Sequence, residues 1–431
     1  MFKENPLPVK ISQANKAKLF DTGLEYNPPA RGGWNIVHTG MLLPEAREIF
    51  VCPQGCLRGV ILTAAEMGTL DRLSSVVVSE EEMFDGSLEE NIAEGSADIL
   101  DRLEKKPSAV LLYISCIHLF TGCDIENVLS RLRERYPDID FTDCYMTPTM
   151  REEISPDVKM RIQLYSLIKP LKENKNIITL VGNDMPPDTE SEIFDIIERE
   201  NFRDIHFCNT YSDYLSLGET SLFITTRPSA KQSGEILAQR LGRKHLYLPV
   251  SFNFENIEKN YSLLCTYLGV LKPDFTPYKE KALKAFEKAL ATIGDTPIVV
   301  DFLAVARPFE LAHLLCEQGF NVKYVIADAL NPEEEESFEK LKKYDIDIYP
   351  SVNVNMIHRV QTEYNKILSI GQKGAFYFET DFFVNMVYED GLYGYHALCR
   401  LALLMEDAFL NPKDRNKVLK YKGHFCSSCL N

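Results

Sequence analysis

The chain has 431 residues, 45% of them apolar and 26% charged, with a formal net charge of −16 spread along its length. That size exceeds a single hydrophobic core and calls for two or three domains. The acidic balance argues against nucleic-acid or anionic-membrane partners, which ask for a basic face, and no apolar run approaches the roughly 18 residues that span a bilayer.

The start, Met1 to Phe20, lacks the apolar stretch of a secretory leader, so the expected location is the cytoplasm. Eleven cysteines in a reducing compartment point to metal or redox chemistry rather than disulfides. Cys144, Cys208, Cys265, Cys316 and Cys399 are scattered singly and read as small buried hydrophobes.

Residues 1–30, closing on Pro28-Pro29, read as an extended arm. Beyond it, Ser74–Val78 and Ala109–Ser115 are β-branched or apolar runs of the kind that form buried parallel strands, with helical patterns after them at Leu88–Glu104 and Ile125–Arg135. The rhythm restarts at Asn176–Val181, closed by Gly182-Asn183-Asp184, and a helix is predicted over Asp188–Asn201. Leu222–Thr226 and His245–Leu248 are further strands, with a helix over Ser229–Leu241 between them. A third restart comes at Pro297–Phe302, followed by a helix over Pro308–Gln318, Gly319 as its C-cap and a strand at Val322–Ala327. The acidic run Glu333–Glu336 after Asn331-Pro332 predicts a solvated first helical turn.

This alternation predicts an α/β protein with three Rossmann-like layered domains and parallel sheets. The expected divisions are the arm at 1–30, domains at 31–174 and 175–293, and a third domain with a C-terminal tail at 294–431. No Gly-x-x-x-x-Gly-Lys-Ser/Thr stretch occurs, so any ATP hydrolysis must come from another protein.

Two cysteine pairs stand out. Cys52 and Cys56 are separated by three residues in Val51-Cys-Pro-Gln-Gly-Cys-Leu57, and Cys116 and Cys123 by six in Ser115-Cys-Ile-His-Leu-Phe-Thr-Gly-Cys-Asp124. Both pairs fall where an extended segment gives way to a helix, the edge at which open α/β sheets bind ligands. Backbone N–H groups there can stabilise thiolates, and Gly55, Gly59 and Gly122 would let the backbone approach a bulky inorganic core. Four thiolates suit zinc or an iron–sulfur cluster, although structural zinc favours two short knuckles; core cysteines at strand ends are the plain alternative. His118 reads as a half-buried histidine or a hydrogen-bonding neighbour of such a centre. His38 and Arg58 are weaker candidates, and the terminal His424-Phe-Cys426-Ser-Ser-Cys429 reads as a frayed tail or a thiol relay.

The order Arg31-Gly32-Gly33, Cys52-Pro-Gln-Gly-Cys56, Met83-Phe-Asp-Gly86, Ser115-Cys116 and Thr121-Gly-Cys123-Asp-Ile-Glu-Asn-Val128 resembles the first domain of nitrogenase component 1 subunits. That family takes in nitrogenase subunits, cofactor-assembly scaffolds and the light-independent protochlorophyllide and chlorophyllide reductases. Asn176–Asp184, Arg240–Pro249, Val299–Ala327 and the Tyr/Gly-rich Gly391–Arg400 extend the similarity along nearly the whole chain. By resemblance, Cys56 and Cys116 match cluster-ligand positions. Cys52 and Cys123 stand where relatives carry other residues, and no thiol follows Arg31-Gly32.

The resemblance implies a [4Fe-4S] or larger P-cluster-like centre. Either Cys52, Cys56, Cys116 and Cys123 complete it within one chain, or some of them combine with a second copy or a sister subunit. It also implies electrons delivered by a nitrogenase reductase-like, ATP-dependent iron–sulfur protein, and an anaerobic reductase with an unknown substrate. The large nitrogenase cofactor is not expected, because Lys244–Asn256 holds no cysteine and Tyr393 takes the place of the histidine ligand; His396, nearby, reads as structural. The alternatives are a non-catalytic scaffold for cluster assembly or storage, and a zinc-stabilised binding protein.

Overall fold

The computed structural model describes residues 7–21, 23–26, 35–147 and 154–417. Among these the strands are β1 (Val9–Lys10), β2 (Ala46–Cys52), β3 (Leu73–Val77), β4 (Ala109–Ser115), β5 (Asp140–Met146), β6 (Asn174–Leu180), β7 (Phe202–Asp204), β8 (Thr220–Thr225), β9 (Lys244–Tyr247), β10 (Ile298–Asp301), β11 (Val322–Ile326), β12 (Asp347–Tyr349), β13 (Leu368–Ile370) and β14 (Phe383–Val384). They build three sheets, in the orders β3-β2-β4-β5, β7-β6-β8-β9 and β1-β12-β11-β10-β13-β14. Every pairing is parallel except that of β1 with β12. The described residues fall into two compact units: those of 34–184 and 200–248, and those of 1–33, 185–199 and 249–431. The three restarts of the sequence thus appear as three layered α/β sheets, two in the first unit and one in the second.

In the first unit, β4 and the second half of β2 are apolar because parallel strands under helices are covered on both faces. Phe50, Cys52, Leu111 and Tyr113 face one apolar cluster, while Ile49, Val51, Val110 and Leu112 face another. Phe50 and Tyr113 stack with centroids 4.2 Å apart. The first cluster continues through Val181, Phe223 and Leu237, so the first two sheets share a core. The helix Leu88–Arg102 covers the other face, burying Leu88, Ile92, Ala93 and Leu100 at helical spacing.

In the second unit the arm is not independent. Val9 and Lys10 pair with Ile348 and Asp347 as an antiparallel edge of the six-stranded sheet, and Glu25 bridges to Asn353. Arg31-Gly32-Gly33, Pro28-Pro29, His424, Cys426 and Cys429 lie outside the described residues. Gly319 ends the helix Pro308–Glu317 region at φ +87°, as its role as a cap requires.

Two sequence expectations change here. Asp188–Asn201 forms the short 3₁₀ turns Glu192–Asp195 and Arg199–Asn201 instead of a continuous helix. Tertiary bonds set its backbone: the Asp188 N–H donates to the Gly391 carbonyl at 3.0 Å. The buried Glu192 carboxylate accepts from the Tyr261 hydroxyl at 2.9 Å and from the backbone of His396 at 3.0 Å and Tyr395. The acidic run is likewise not wholly solvated. Glu334 is 1% exposed and accepts the backbone N–H groups of Phe309 (2.8 Å) and Glu310 (3.1 Å), capping the helix Pro308–Glu317 from outside.

Burial pushes the Glu334 carboxyl up from 4.5 to about 8. The folded chain therefore holds this proton where the unfolded chain has lost it, and the contribution to stability falls as pH rises from about 4.5 through 8. Denaturant unfolding of wild type and Glu334→Gln across that window should show a slope of roughly 1 kcal/mol per pH unit in wild type that flattens in the variant. Parallel profiles would remove Glu334 as the titrating group.

Candidate functional site

The parallel register of β2 with β4 sets Val51 beside Ile114, so the two strands end together at the carboxyl edge of the first sheet. After β2, Pro53 is the N-cap of the helix Gln54–Glu66, which puts Cys56 in its first turn. After β4 the helix Cys116–Thr121 begins at once, with Cys116 as its first residue and the left-handed Gly122 (φ +68°) as its cap. Two thiol-bearing turns thus leave neighbouring strands at one edge. Cys56 is exposed and Cys116 half-buried. The space a Cβ would take at Gly55 or Gly59 is open.

Cys52 and Cys123 are placed differently. Cys52 is fully buried in the cluster that holds Phe50 and Tyr113, whereas Cys123 lies against the cluster on the opposite face of the sheet, hydrogen-bonded to Glu89. Burial pushes each thiol up to about 12. Among the described residues no three His, Cys, Asp or Glu side chains are gathered so that they could hold a metal ion. Cys52 and Cys123 thus meet the apolar clusters on opposite faces of the first sheet.

His118 is 2% exposed and closes a capping box with Ser115, whose backbone N–H reaches the imidazole Nδ1 at 2.9 Å. Burial holds its pKa below the ordinary imidazole value. The sequence signal was Ser115-x-x-His118, the capping-box spacing with an imidazole in place of Glu or Gln. Val77, paired with Cys52 at the end of β3, Phe84, and Leu119 and Phe120 of the helix Cys116–Thr121 are exposed apolar side chains, Phe84 at 86% and Phe120 at 73%. Arg58 is exposed on the same helix as Cys56, and His38 is half-buried in the helix Ile36–Met41.

In the second unit, Tyr393 is buried as the N-cap of the helix Gly394–Leu410. His396, in its first turn, holds Asp188 through Nε2 at 3.0 Å.

The family model for nitrogenase component 1 type oxidoreductases matches residues 40–397. The chain belongs to the nitrogenase component 1 family. Among solved structures, nitrogenase Cp1 at pH 6.5 superposes with a TM-score of 0.68 at 14% identity, covering 92% of this chain and 96% of that one. Nitrogenase Cp1 at pH 5 gives 0.58 at 12% identity, covering 91% and 92%. At these identities the likeness is one of fold. No curated protein matches the sequence significantly. Among the described residues no helix is long and apolar enough to cross a membrane.

Members of the nitrogenase component 1 family bind iron–sulfur clusters. Two thiols on the turns that leave adjacent strands, with open space beside Gly55 and Gly59, are donors of the kind such a group takes.

Because only the thiolate is reactive, burial should separate these cysteines kinetically. Iodoacetamide at neutral pH should modify Cys56 readily in the metal-free chain, and Cys52 and Cys123 at least about a hundredfold more slowly. Peptide mass spectrometry gives the rates, and equal labelling of Cys52 and Cys56 would contradict the placement.

Proposed function

We propose that this chain is the electron-accepting component of a two-component reductase. In this reading Cys56 and Cys116 hold an iron–sulfur cluster that is completed by the same residues of a second copy, or by a sister subunit. The observation that carries it is the pair of thiol-bearing turns at one sheet edge, in a chain matched by the family model over residues 40–397. A cubane cluster takes four thiolates, two turns supply two, and a second chain supplies the rest. The exposed apolar side chains around the edge are the surface such a pairing would bury.

When bound, the cluster supplies one-electron transfer, filled by an ATP-dependent iron–sulfur reductase because the chain has no P-loop. The protein's own share is to hold the thiolates, exclude water from the edge and position the donors around them. The substrate is a compound other than dinitrogen. Two features support that restriction: the absence of cysteine from Lys244–Asn256, and Tyr393 in the place of the histidine ligand.

Anaerobic purification with iron and acid-labile sulfide analysis and EPR tests the proposal. About four iron and four sulfide per pair of chains are expected, lost in Cys56→Ala and Cys116→Ala and kept in Cys52→Ala and Cys123→Ala. Mixing with a nitrogenase reductase-like protein should reduce the cluster only when ATP is present. A colourless or zinc-bearing protein, indifferent to Cys56 and Cys116, would defeat the reading. Release of an intact cluster to an acceptor protein, without ATP-dependent reduction, would make the chain an assembly scaffold instead.

A further inference from the structure

The amino edge of the first sheet, at the far end of the strands from the thiol-bearing turns, gathers positive charge. β3, β2 and β4 are neighbours, and the segments leading into them wall a cavity of about 310 Å³. Arg47 comes from the start of β2, Arg72 from the turn before β3, and Lys105 and Lys106 from the stretch before β4. Four cations thus face two carboxylates, Glu45 and Asp71, in a chain whose net charge is −16. Glu45 is already engaged: it accepts the Tyr211 backbone N–H at 3.0 Å and lies 3.8 Å from the Lys105 ammonium. Asp71 is exposed, and its charge favours both guanidiniums without pairing to either.

Arg47 and Arg72 are half-buried, and among the described residues neither forms an ion pair; both spend their bonds on neutral groups. Arg47 donates to the Asp71 carbonyl and the Ser74 hydroxyl, and Arg72 to the carbonyls of Met41, Leu43 and Ala46. Three bonds from five N–H donors leave two on each guanidinium unspent, while the carbonyls hold both forks in place. Burial pushes both groups below the ordinary arginine value, as removal of a cation from water requires. Lys106 is committed to the carbonyls that end the helix Leu88–Arg102 and adds charge only. We propose that this cavity binds a small phosphate-bearing anion, clamped by Arg47, Arg72 and Lys105. Fixed guanidinium forks match the oxygens of a phosphate, and the volume suits a small molecule. The inference is independent of the cluster reading, since the cavity lies at the opposite end of β2 and β4 from Cys56 and Cys116.

Calorimetric titration of the full chain with inorganic phosphate, at constant ionic strength set with chloride, tests the proposal. One phosphate per chain should bind, and Arg47→Gln should weaken it at least about tenfold, the loss of a charge-assisted hydrogen bond. Lys105→Glu should weaken it by a similar factor, because it turns the charge of the cavity wall toward negative. The Lys105 side chain is 87% exposed, so this variant keeps its fold and decides the matter if Arg47→Gln does not. Absence of saturable phosphate binding to wild type overturns the inference. So does binding that Lys105→Glu leaves unchanged, since the phosphate would then sit elsewhere.

Discussion

The parallel pairing of β2 with β4 is the constraint on which the candidate site depends. Parallel strands buried on both faces have little freedom to slip, since a one-residue shift would exchange the Phe50/Tyr113 face for the Ile49/Leu112 face. Once that register is fixed, both strands end at the same edge and each passes directly into a helix. The separation of Cys56 from Cys116 in sequence then counts for little. The core brings their turns to neighbouring positions and leaves the edge open beside Gly55 and Gly59.

The four cysteines sit in different surroundings. Cys52 is the last residue of β2 and shares the face of Phe50, whereas Cys123 follows the short helix and settles against the opposite cluster. Burial of Cys52, and burial together with the Glu89 carboxylate at Cys123, disfavour the thiolate.

Buried polar groups do much of the remaining positioning. Glu192 ties the segment after Asp184 to the start of the helix Gly394–Leu410, and Glu334 caps the helix Pro308–Glu317 from a distant stretch of chain. His118 belongs to the same class, closing a capping box with Ser115 through Nδ1. Satisfied groups of this kind fix the backbone.

Much of this was readable in the sequence. The apolar runs at Ala109–Ser115, Leu222–Thr226 and Val322–Ala327 marked strands because parallel strands covered on both faces need uninterrupted hydrophobic residues. The order of cysteine, glycine and turn motifs pointed to the family. Local pattern could not decide which cysteines are available, because facing depends on register and on which side each helix packs. Nor could it foresee that Asp188–Asn201 gives up its helix, or that Glu334 leaves solvent, since both follow from hydrogen bonds to residues far along the chain. The sequence by itself determined the elements and the thiols; the tertiary structure decided which thiols share an edge, because only packing fixes the face each side chain takes.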